Sequence, residues 1–275
     1  MRILVAMLGG TIASAHVSGT IKLGGTSFVR SYLLENHSSH EFVFPVLDTY
    51  SSEDVTPEMY GKALKQIIDE TRAERYDGLL ITHGTDTCAF FAQLAARVLP
   101  ETGVPFVVTG SMKSPDVDRT EAGGNLDFAV RTIEEGKSGV VFRNEIGEEQ
   151  SYKANLIMSP DIHGIYSEYK DGEEPAKRAL PESFPKVLIV SSVPGAVLAE
   201  KGFDRVLICC NHSGTANSEL EQRVKEWTAG GIKVYMAPVP REGGIYESRQ
   251  KLRDAGAIEL PGMPVEGAWA EVMLR

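Results

Sequence analysis

Short, continuously apolar segments recur along this chain, and glycine or proline lies near most of their ends. They occupy residues 3–8, 42–47, 78–82, 105–109, 139–142, 187–191, 206–210 and 232–237. A strand that is covered on both faces, as in a parallel sheet, has apolar side chains at most positions. The pattern therefore predicts a series of buried, parallel strands.

Helical patterns lie between these segments. Thr56, Pro57 and Glu58 are typical of a helix start, with a capping hydroxyl, an early proline and an early acid. Three further segments have a helical pattern: residues 88–98, 125–135 and 218–229. The alternation of strands and helices predicts an α/β fold in which helices cover both faces of a parallel sheet.

One segment interrupts this alternation. Residues 170–186 contain three prolines and eight charged residues but no apolar run, which is typical of a linker. We therefore expect a larger N-terminal α/β domain over residues 1–170, a linker over 171–186 and a smaller C-terminal α/β domain over 187–275.

The charge of the chain argues against some classes of partner. The 275 residues include 28 basic and 38 acidic side chains, for a net charge of −10. Nucleic acids and anionic membrane surfaces bind clustered positive charge, so neither is expected as a main partner. No apolar run approaches the ~18 residues that a membrane span needs.

The cysteine content favours a reducing compartment. Only Cys88, Cys209 and Cys210 are present, and two of the three are neighbours, which rules out a disulfide framework. The apolar run at the N-terminus is short and leads directly into two glycines, unlike a signal peptide. We therefore expect a cytoplasmic protein.

Polar, glycine-containing loops follow several of the predicted strands. Ligands of parallel α/β folds bind beyond the carboxyl ends of the strands, so these loops are the candidate site. They have the sequences LGGT (8–11), SSED (51–54), THGTDT (82–87) and TGSMK (109–113), and YKAN (152–155) follows a later polar stretch.

Each loop also has a structural interpretation. Gly9 and Gly10 alone favour a tight turn, a capping role explains one residue of THGTDT, and an isolated lysine such as Lys153 is usually a surface residue. The functional interpretation of the SSED loop is a clamp for a small zwitterion. In it, Ser52 bonds a carboxylate and Glu53 bonds an ammonium group. A lysine held near a hydroxyl and a carboxylate can act as a base.

Together, these motifs resemble those of the bacterial-type L-asparaginases. LGGTIAS, SSED, ITHGTDT, TGSMKSPDVDRTEAGGNL and YKAN occur in the order and at the spacing of that family, from residue 1 to about residue 160. The rest of the chain fits the family in layout only. The resemblance implies a two-domain α/β amidohydrolase that needs no metal or other cofactor.

The resemblance also implies roles for particular residues. Thr11 is the expected nucleophile, and Thr85, Asp86 and Lys153 form the expected polar triad. Ser52 and Glu53 are expected to hold the substrate's α-carboxylate and α-amino group. The implied substrate-binding set is Ser52, Glu53, Gly84, Asp86 and Ser111.

The chain departs from the family in the segment after Thr11. Relatives have a mobile lid there with a tyrosine near the nucleophile, whereas residues 15–27 contain no tyrosine, and His16 is their only imidazole. His16 is interpreted either as an ordinary loop histidine or as the replacement for that tyrosine. The C-terminal domain is also shorter than in typical members.

We therefore expect hydrolysis of L-asparagine to L-aspartate and ammonia by a homodimer or homotetramer. Three alternatives stay open: a glutaminase or hydrolase of another small amide, a non-catalytic amino-acid-binding protein, and a subunit of a tRNA-dependent amidotransferase. An additional N-terminal domain is normal in the last class. The position of the first strand at residue 3 and the charge of −10 argue against it.

Overall fold

A computed structural model describes residues 1–24, 27–144, 146–170, 172–193 and 202–275. The chain divides into two compact units. The first comprises Met1–Glu168 with Pro175–Leu180, and the second comprises Tyr169–Glu174 with Pro181–Arg275. The expected linker, residues 171–186, is therefore shared between the units, and its residue 171 lies outside the described part.

The first unit contains ten strands and four α-helices in its described residues. The strands are β1 (Arg2–Met7), β2 (Ser14–Val17), β3 (Thr20–Leu23), β4 (Glu41–Val43), β5 (Gly78–Thr82), β6 (Phe106–Thr109), β7 (Gly139–Arg143), β8 (Glu149–Tyr152), β9 (Ile157–Met158) and β10 (Ser167–Glu168). The helices are α1 (Ser27–Asn36), α2 (Pro57–Ala73), α3 (Cys88–Val98) and α4 (Ala122–Glu134).

Six of these strands form one sheet in the order β4-β1-β5-β6-β7-β8. Neighbours run parallel except β8, which is antiparallel to β7. In β1, Ile3 and Val5 pack with α1 and α4, and the alternate residues Leu4 and Ala6, which face the other side of the sheet, are also buried. The sheet is therefore covered on both faces, which confirms the predicted fold class.

The predicted start of α2 is confirmed by its capping residue. The Thr56 hydroxyl accepts a hydrogen bond from the Met59 N–H at 3.3 Å, with Pro57 in the first turn of α2. Helix α3 has the predicted bounds, whereas α4 begins at Ala122, three residues before the prediction. The two glycines at 123 and 124 were not expected inside a helix, but side chains pack closely against both.

The second unit is a smaller α/β domain. Its strands are β11 (Val187–Ser191), β12 (Arg205–Cys209), β13 (Lys233–Val239) and β14 (Ile258–Pro261), and its helices are α5 (Glu219–Ala229), α6 (Glu247–Asp254) and α7 (Val265–Leu274). The four strands form a parallel sheet in chain order. Helices α5 and α6 contribute to its main core, and α7 packs against β12 and β13.

Membrane insertion through a helix has no support in the described ranges, where none of the helices combines sufficient length with sufficient hydropathy to span a bilayer.

Candidate active site

The loops after β1, β4 and β5 meet at the carboxyl edge of the first sheet. Met7 pairs with Thr82, and the Leu8 N–H donates to the Thr82 carbonyl at 2.9 Å. The Gly10 N–H donates to the Tyr50 carbonyl at 3.2 Å, which joins the loop after β4 to the loop after β1. Three motifs that are distant in the sequence therefore lie side by side.

Two glycines let these loops approach one another closely. A side-chain carbon at Gly10 would lie 2.2 Å from the Cα of Gly84, and one at Gly84 would lie 2.5 Å from the Ser52 Oγ. Gly10 also has a φ of +79°, in the region that favours glycine. Because Thr11 and Thr85 each follow one of these glycines, the two threonines stand on touching loops.

The acidic residues of the candidate site are next to these contacts. Glu53 follows Ser52, and Asp86 follows Thr85; both acidic side chains are exposed, whereas Ser52 and Thr85 are buried. In the described part of the chain, no hydrogen bond engages either of the two carboxylates. The Thr87 hydroxyl donates to the Ser52 carbonyl at 2.9 Å, so the loops that contain the two acids are tied together.

Buried His83 supports the loop from below. Its Nδ1 donates to the Gly84 carbonyl at 2.7 Å, and its ring stacks on Phe91 with 4.9 Å between centroids. Burial lowers the pKa of His83 to about 4, so the imidazole is neutral at pH 7. The predicted motif included this histidine without a role; its burial makes it a support for the loop rather than a surface acid or base.

Tyr166 holds the main chain of Thr85, and no motif in the sequence marks it. Its hydroxyl donates to the Thr85 carbonyl at 2.7 Å, and its ring stacks on Phe142 at 4.9 Å. Burial raises the pKa of this phenol well above its usual value of 10. The phenol therefore stays protonated and remains a donor to Thr85.

The loop after β6 lies next to the loop after β5. The His83 N–H donates to the Thr109 carbonyl at 2.8 Å, and the Asn125 side chain donates to the Gly110 carbonyl at 2.8 Å. Ser111 is fully buried, and its hydroxyl donates to the Lys113 carbonyl at 2.7 Å. The hydroxyl of Ser111 is therefore engaged within its own loop.

Lys153 is not joined to the threonines by any hydrogen bond in the described part of the chain. It follows β8, whose last residue, Tyr152, pairs with Val140 near the start of β7. The Lys153 N–H donates to the Glu168 carboxylate, and the side chain is exposed. Its catalytic role stays a prediction.

The segment after Thr11 forms the hairpin β2–β3. His16 in β2 contacts Asp116 and Ser114 of the loop after β6. Residues 25 and 26 of the predicted lid segment lie outside the described residues.

A cavity of about 670 Å³ lies in the first unit beside these loops. Its lining includes Met112, Phe142, Arg143, Tyr152, His163 and Tyr166. Tyr166 is thus shared between the cavity wall and the support of Thr85. Within the described ranges, no group of three or more His, Cys, Asp or Glu side chains is arranged to hold a metal ion.

These features define an α/β protein with a loop-built site at the carboxyl edge of a parallel sheet. Residues 2–154 match the family model described as "Asparaginase, N-terminal". The chain belongs to the asparaginase family.

The relatives of this chain include both an amidotransferase subunit and an L-asparaginase. A glutamyl-tRNA(Gln) amidotransferase subunit of Haloquadratum walsbyi is 25% identical over 262 residues, which is 80% of this chain and 59% of that protein. An L-asparaginase of Thermococcus kodakarensis is 29% identical over 145 residues, 51% of this chain and 43% of that one. The chain thus spans less than two thirds of the length of both relatives.

The fold is also found in solved structures. L-asparaginase I from Vibrio cholerae has a TM-score of 0.76 at 20% identity, with 99% of this chain and 92% of that chain covered. At this identity the likeness establishes the two-domain α/β fold.

Proposed function

We propose that this chain is an amidohydrolase that converts L-asparagine to L-aspartate and ammonia, with Thr11 as the nucleophile. The main support is the contact of Gly10, Gly84 and Ser52, which sets Thr11 and Thr85 on adjoining loops. Membership of the asparaginase family supports the class of reaction. The names of the Thermococcus and Vibrio proteins support asparagine as the substrate.

The proposed reaction is a double displacement at the side-chain amide. The Thr11 hydroxyl attacks the amide carbon and loses its proton to a base, because an unassisted threonine hydroxyl is a weak nucleophile at neutral pH. Backbone N–H groups of the glycine-containing loops are suited to stabilise the oxyanion. The C–N bond then breaks, the nitrogen takes up a proton and leaves as ammonia, and water hydrolyses the acyl-enzyme to aspartate.

The α-amino and α-carboxylate groups of the substrate match the polar residues near Gly84. Glu53 and Asp86 provide two exposed carboxylates for one ammonium, and a charge-assisted hydrogen bond is stronger than a neutral one. The Ser52 hydroxyl is suited to the α-carboxylate. Ser111 would contribute through its main chain, since its hydroxyl already bonds Lys113.

Lys153 completes the proposed proton path with Thr85 and Asp86. A base must come within hydrogen-bond reach of the proton that it accepts, although such contacts often form only with substrate bound. We expect Lys153→Met to lower kcat at least tenfold, a typical contribution of acid–base catalysis being ~10²–10⁴-fold. Full activity of this variant would remove the lysine from the mechanism.

Ammonia release tests the proposal. Purified protein is incubated with L-asparagine, L-glutamine and other small amides, alongside Thr11→Ala, Thr85→Val and the control Thr71→Ala in α2. We expect the unmodified protein and Thr71→Ala to release ammonia from asparagine. Thr11→Ala and Thr85→Val should release none. Faster release from glutamine would make the chain a glutaminase, and release that survives Thr11→Ala would exclude Thr11 as the nucleophile.

Two alternatives predict other results. A non-catalytic amino-acid-binding protein would bind aspartate in calorimetry without releasing ammonia from any amide. A tRNA-dependent amidotransferase subunit is what the name of the Haloquadratum relative describes, and such a subunit would require partner chains for full activity.

We further propose a cytoplasmic homodimer or homotetramer. All three cysteines are free, which fits a reducing compartment. Analytical ultracentrifugation gives the assembly state directly, and a monomer at micromolar concentration would contradict this part of the proposal.

A further inference from the structure

The hairpin β2–β3 is tied to the loop after β6 through one residue. Within the described part of the first unit, His16 makes every hydrogen bond between this hairpin and residues beyond position 24. The side chains of β3 are exposed along its whole length. The position of the hairpin therefore depends strongly on what His16 contacts.

Asp116 and Ser114 are those contacts. The His16 N–H donates to the Asp116 Oδ2 at 2.7 Å, and the His16 Nδ1 lies 3.3 Å from Oδ1. The Ser114 Oγ lies 3.0 Å from the same Nδ1, and Ser114 is fully buried. Hydrogen bonds from the Ser114 hydroxyl and the His16 N–H lower the pKa of Asp116 to about 2. The carboxylate is therefore charged at neutral pH.

These three residues are not arranged as a catalytic triad. In a Ser-His-Asp triad, the hydroxyl and the carboxylate contact opposite nitrogens of the imidazole. Here both lie at Nδ1. The arrangement holds the histidine and the strand it belongs to, rather than activating the serine.

The hairpin is in turn connected to Thr11. Thr11 lies in the 3-10 turn Thr11–Ala13, directly before β2. The Ser14 hydroxyl donates to the Gly10 carbonyl at 2.9 Å, and the Gly24 N–H donates to the Ala13 carbonyl at 3.0 Å. On the other side of Thr11, the Gly10 N–H donates to the Tyr50 carbonyl at 3.2 Å, so the turn lies between this anchor and the hairpin. A shift of the hairpin would therefore move Thr11.

We propose that Asp116 is a positioning residue, whose carboxylate clamps the hairpin through His16 and thereby fixes the turn that contains Thr11. This inference rests on the proposed function, in which Thr11 is the nucleophile. The clamp attaches the hairpin, which belongs to the segment without a tyrosine, to a residue 100 positions further along the chain.

Four variants separate the parts of the contact. Asp116→Ala removes every hydrogen bond of the carboxylate, Asp116→Asn keeps an acceptor for the His16 N–H, and His16→Ala removes only the ring. Asp118→Ala is the matched control, because this exposed acid in the same loop makes no hydrogen bond or ion pair in the described ranges. Each variant is examined by hydrogen exchange over residues 14–23, by thermal melting and by kcat and KM for asparagine.

We expect Asp116→Ala to accelerate exchange in the hairpin about tenfold or more at an unchanged melting temperature. We expect kcat to fall about tenfold or more with KM within about twofold, since small displacements of a reacting group reduce turnover strongly. Asp116→Asn should restore most of kcat, His16→Ala should lie between the two, and Asp118→Ala should match the unmodified protein.

Two results would overturn the inference. One is unchanged exchange over residues 14–23 in Asp116→Ala, which would show that the carboxylate does not clamp the hairpin. The other is accelerated exchange with normal kcat, which would separate the hairpin from Thr11. If the unmodified protein hydrolyses no amide, the proposed function fails, and the exchange measurement alone decides whether Asp116 clamps the hairpin.

Discussion

The buried histidine beneath the candidate site gives a pH dependence to stability. His83 has a pKa of about 4 in the folded chain, against 6.5 for a free side chain, because burial disfavours the charged form. The unfolded chain therefore binds a proton that the folded chain does not, and stability falls as pH decreases from about 6.5 towards 4. From pH 7 to pH 4.5, the loss from this residue is about 2 kcal/mol.

We expect His83→Gln to lose less stability than the unmodified protein between these two pH values. Urea unfolding followed by circular dichroism at pH 7 and pH 4.5 measures the difference. His212→Gln, an exposed histidine in the second unit, is the control and should retain the full dependence. Equal pH dependence in His83→Gln would contradict the prediction.

Gly84 is a residue at which one methyl group should abolish activity. In Gly84→Ala the new carbon would lie 2.5 Å from the Ser52 Oγ and Cβ and 3.2 Å from the Gly10 Cα. The loops must then separate, and we expect kcat/KM for asparagine to fall about a hundredfold or more. In the control Gly244→Ala the carbon meets no atom within 4 Å. Normal ammonia release by Gly84→Ala would rule out the proposed role of this contact.

Individual contacts within the site were predictable only where the sequence placed the partners in motifs. The meeting of the loops that contain Thr11, Ser52 and Thr85 follows from polar loops after parallel strands. Tyr166 and Asp116 were not predictable, because they contact Thr85 and His16 from 81 and 100 positions away. No local pattern marks such long-range partners.

At the scale of whole elements, apolar runs predicted the central strands well. The run at 187–191 coincides with β11, and the run at 139–142 covers β7 except for its last residue. The strand predicted at 42–47 was too long, because β4 ends at Val43. Pro45 has no N–H for the ladder, and Val46 is 93% exposed. The hairpin β2–β3 was missed because its exposed strands have no apolar run.

A buried ion pair joins α6 to β14 in the second unit. The Arg249 Nε lies 2.7 Å from the Glu259 Oε1, and both side chains are mostly buried. Arg249→Ala would remove the closer, buried cation and leave the carboxylate with only Arg253, a more exposed side chain whose Nε lies 3.8 Å from Oε1. Breaking a buried pair in this way costs about 3 kcal/mol or more. We expect unfolding of the second unit at correspondingly lower urea concentration.

Tryptophan fluorescence measures this directly, because Trp227 and Trp269 are the two tryptophans of the chain and both belong to the second unit. Lys251→Ala, which breaks an exposed pair with Glu247, is the control and should leave the urea midpoint nearly unchanged. An Arg249→Met/Glu259→Met double variant should recover most of the lost stability. Equal stability of Arg249→Ala and the unmodified protein would exclude a structural role for the pair.

At the scale of the whole molecule, the net charge of −10 bears on the choice between the proposed hydrolase and an amidotransferase subunit. Nucleic-acid affinity comes largely from basic groups that neutralise phosphates. We therefore expect no binding of labelled tRNA to this chain alone at ~150 mM salt, as measured by fluorescence anisotropy with a basic tRNA-binding protein as positive control. A Kd below ~1 µM would favour the amidotransferase alternative.

The main-chain contact between Gly10, in the loop after β1, and Gly84, in the loop after β5, also limits how substrate preference can change. The two main chains touch there with no side chain between them. Any larger residue at either glycine would push the two loops apart, so no substitution can give this contact a new side-chain surface. A mutant library that seeks activity on longer amides should therefore keep positions 10 and 84 fixed. Diversity belongs instead at side chains outside this contact, such as Met112, which is 36% exposed and lines the cavity.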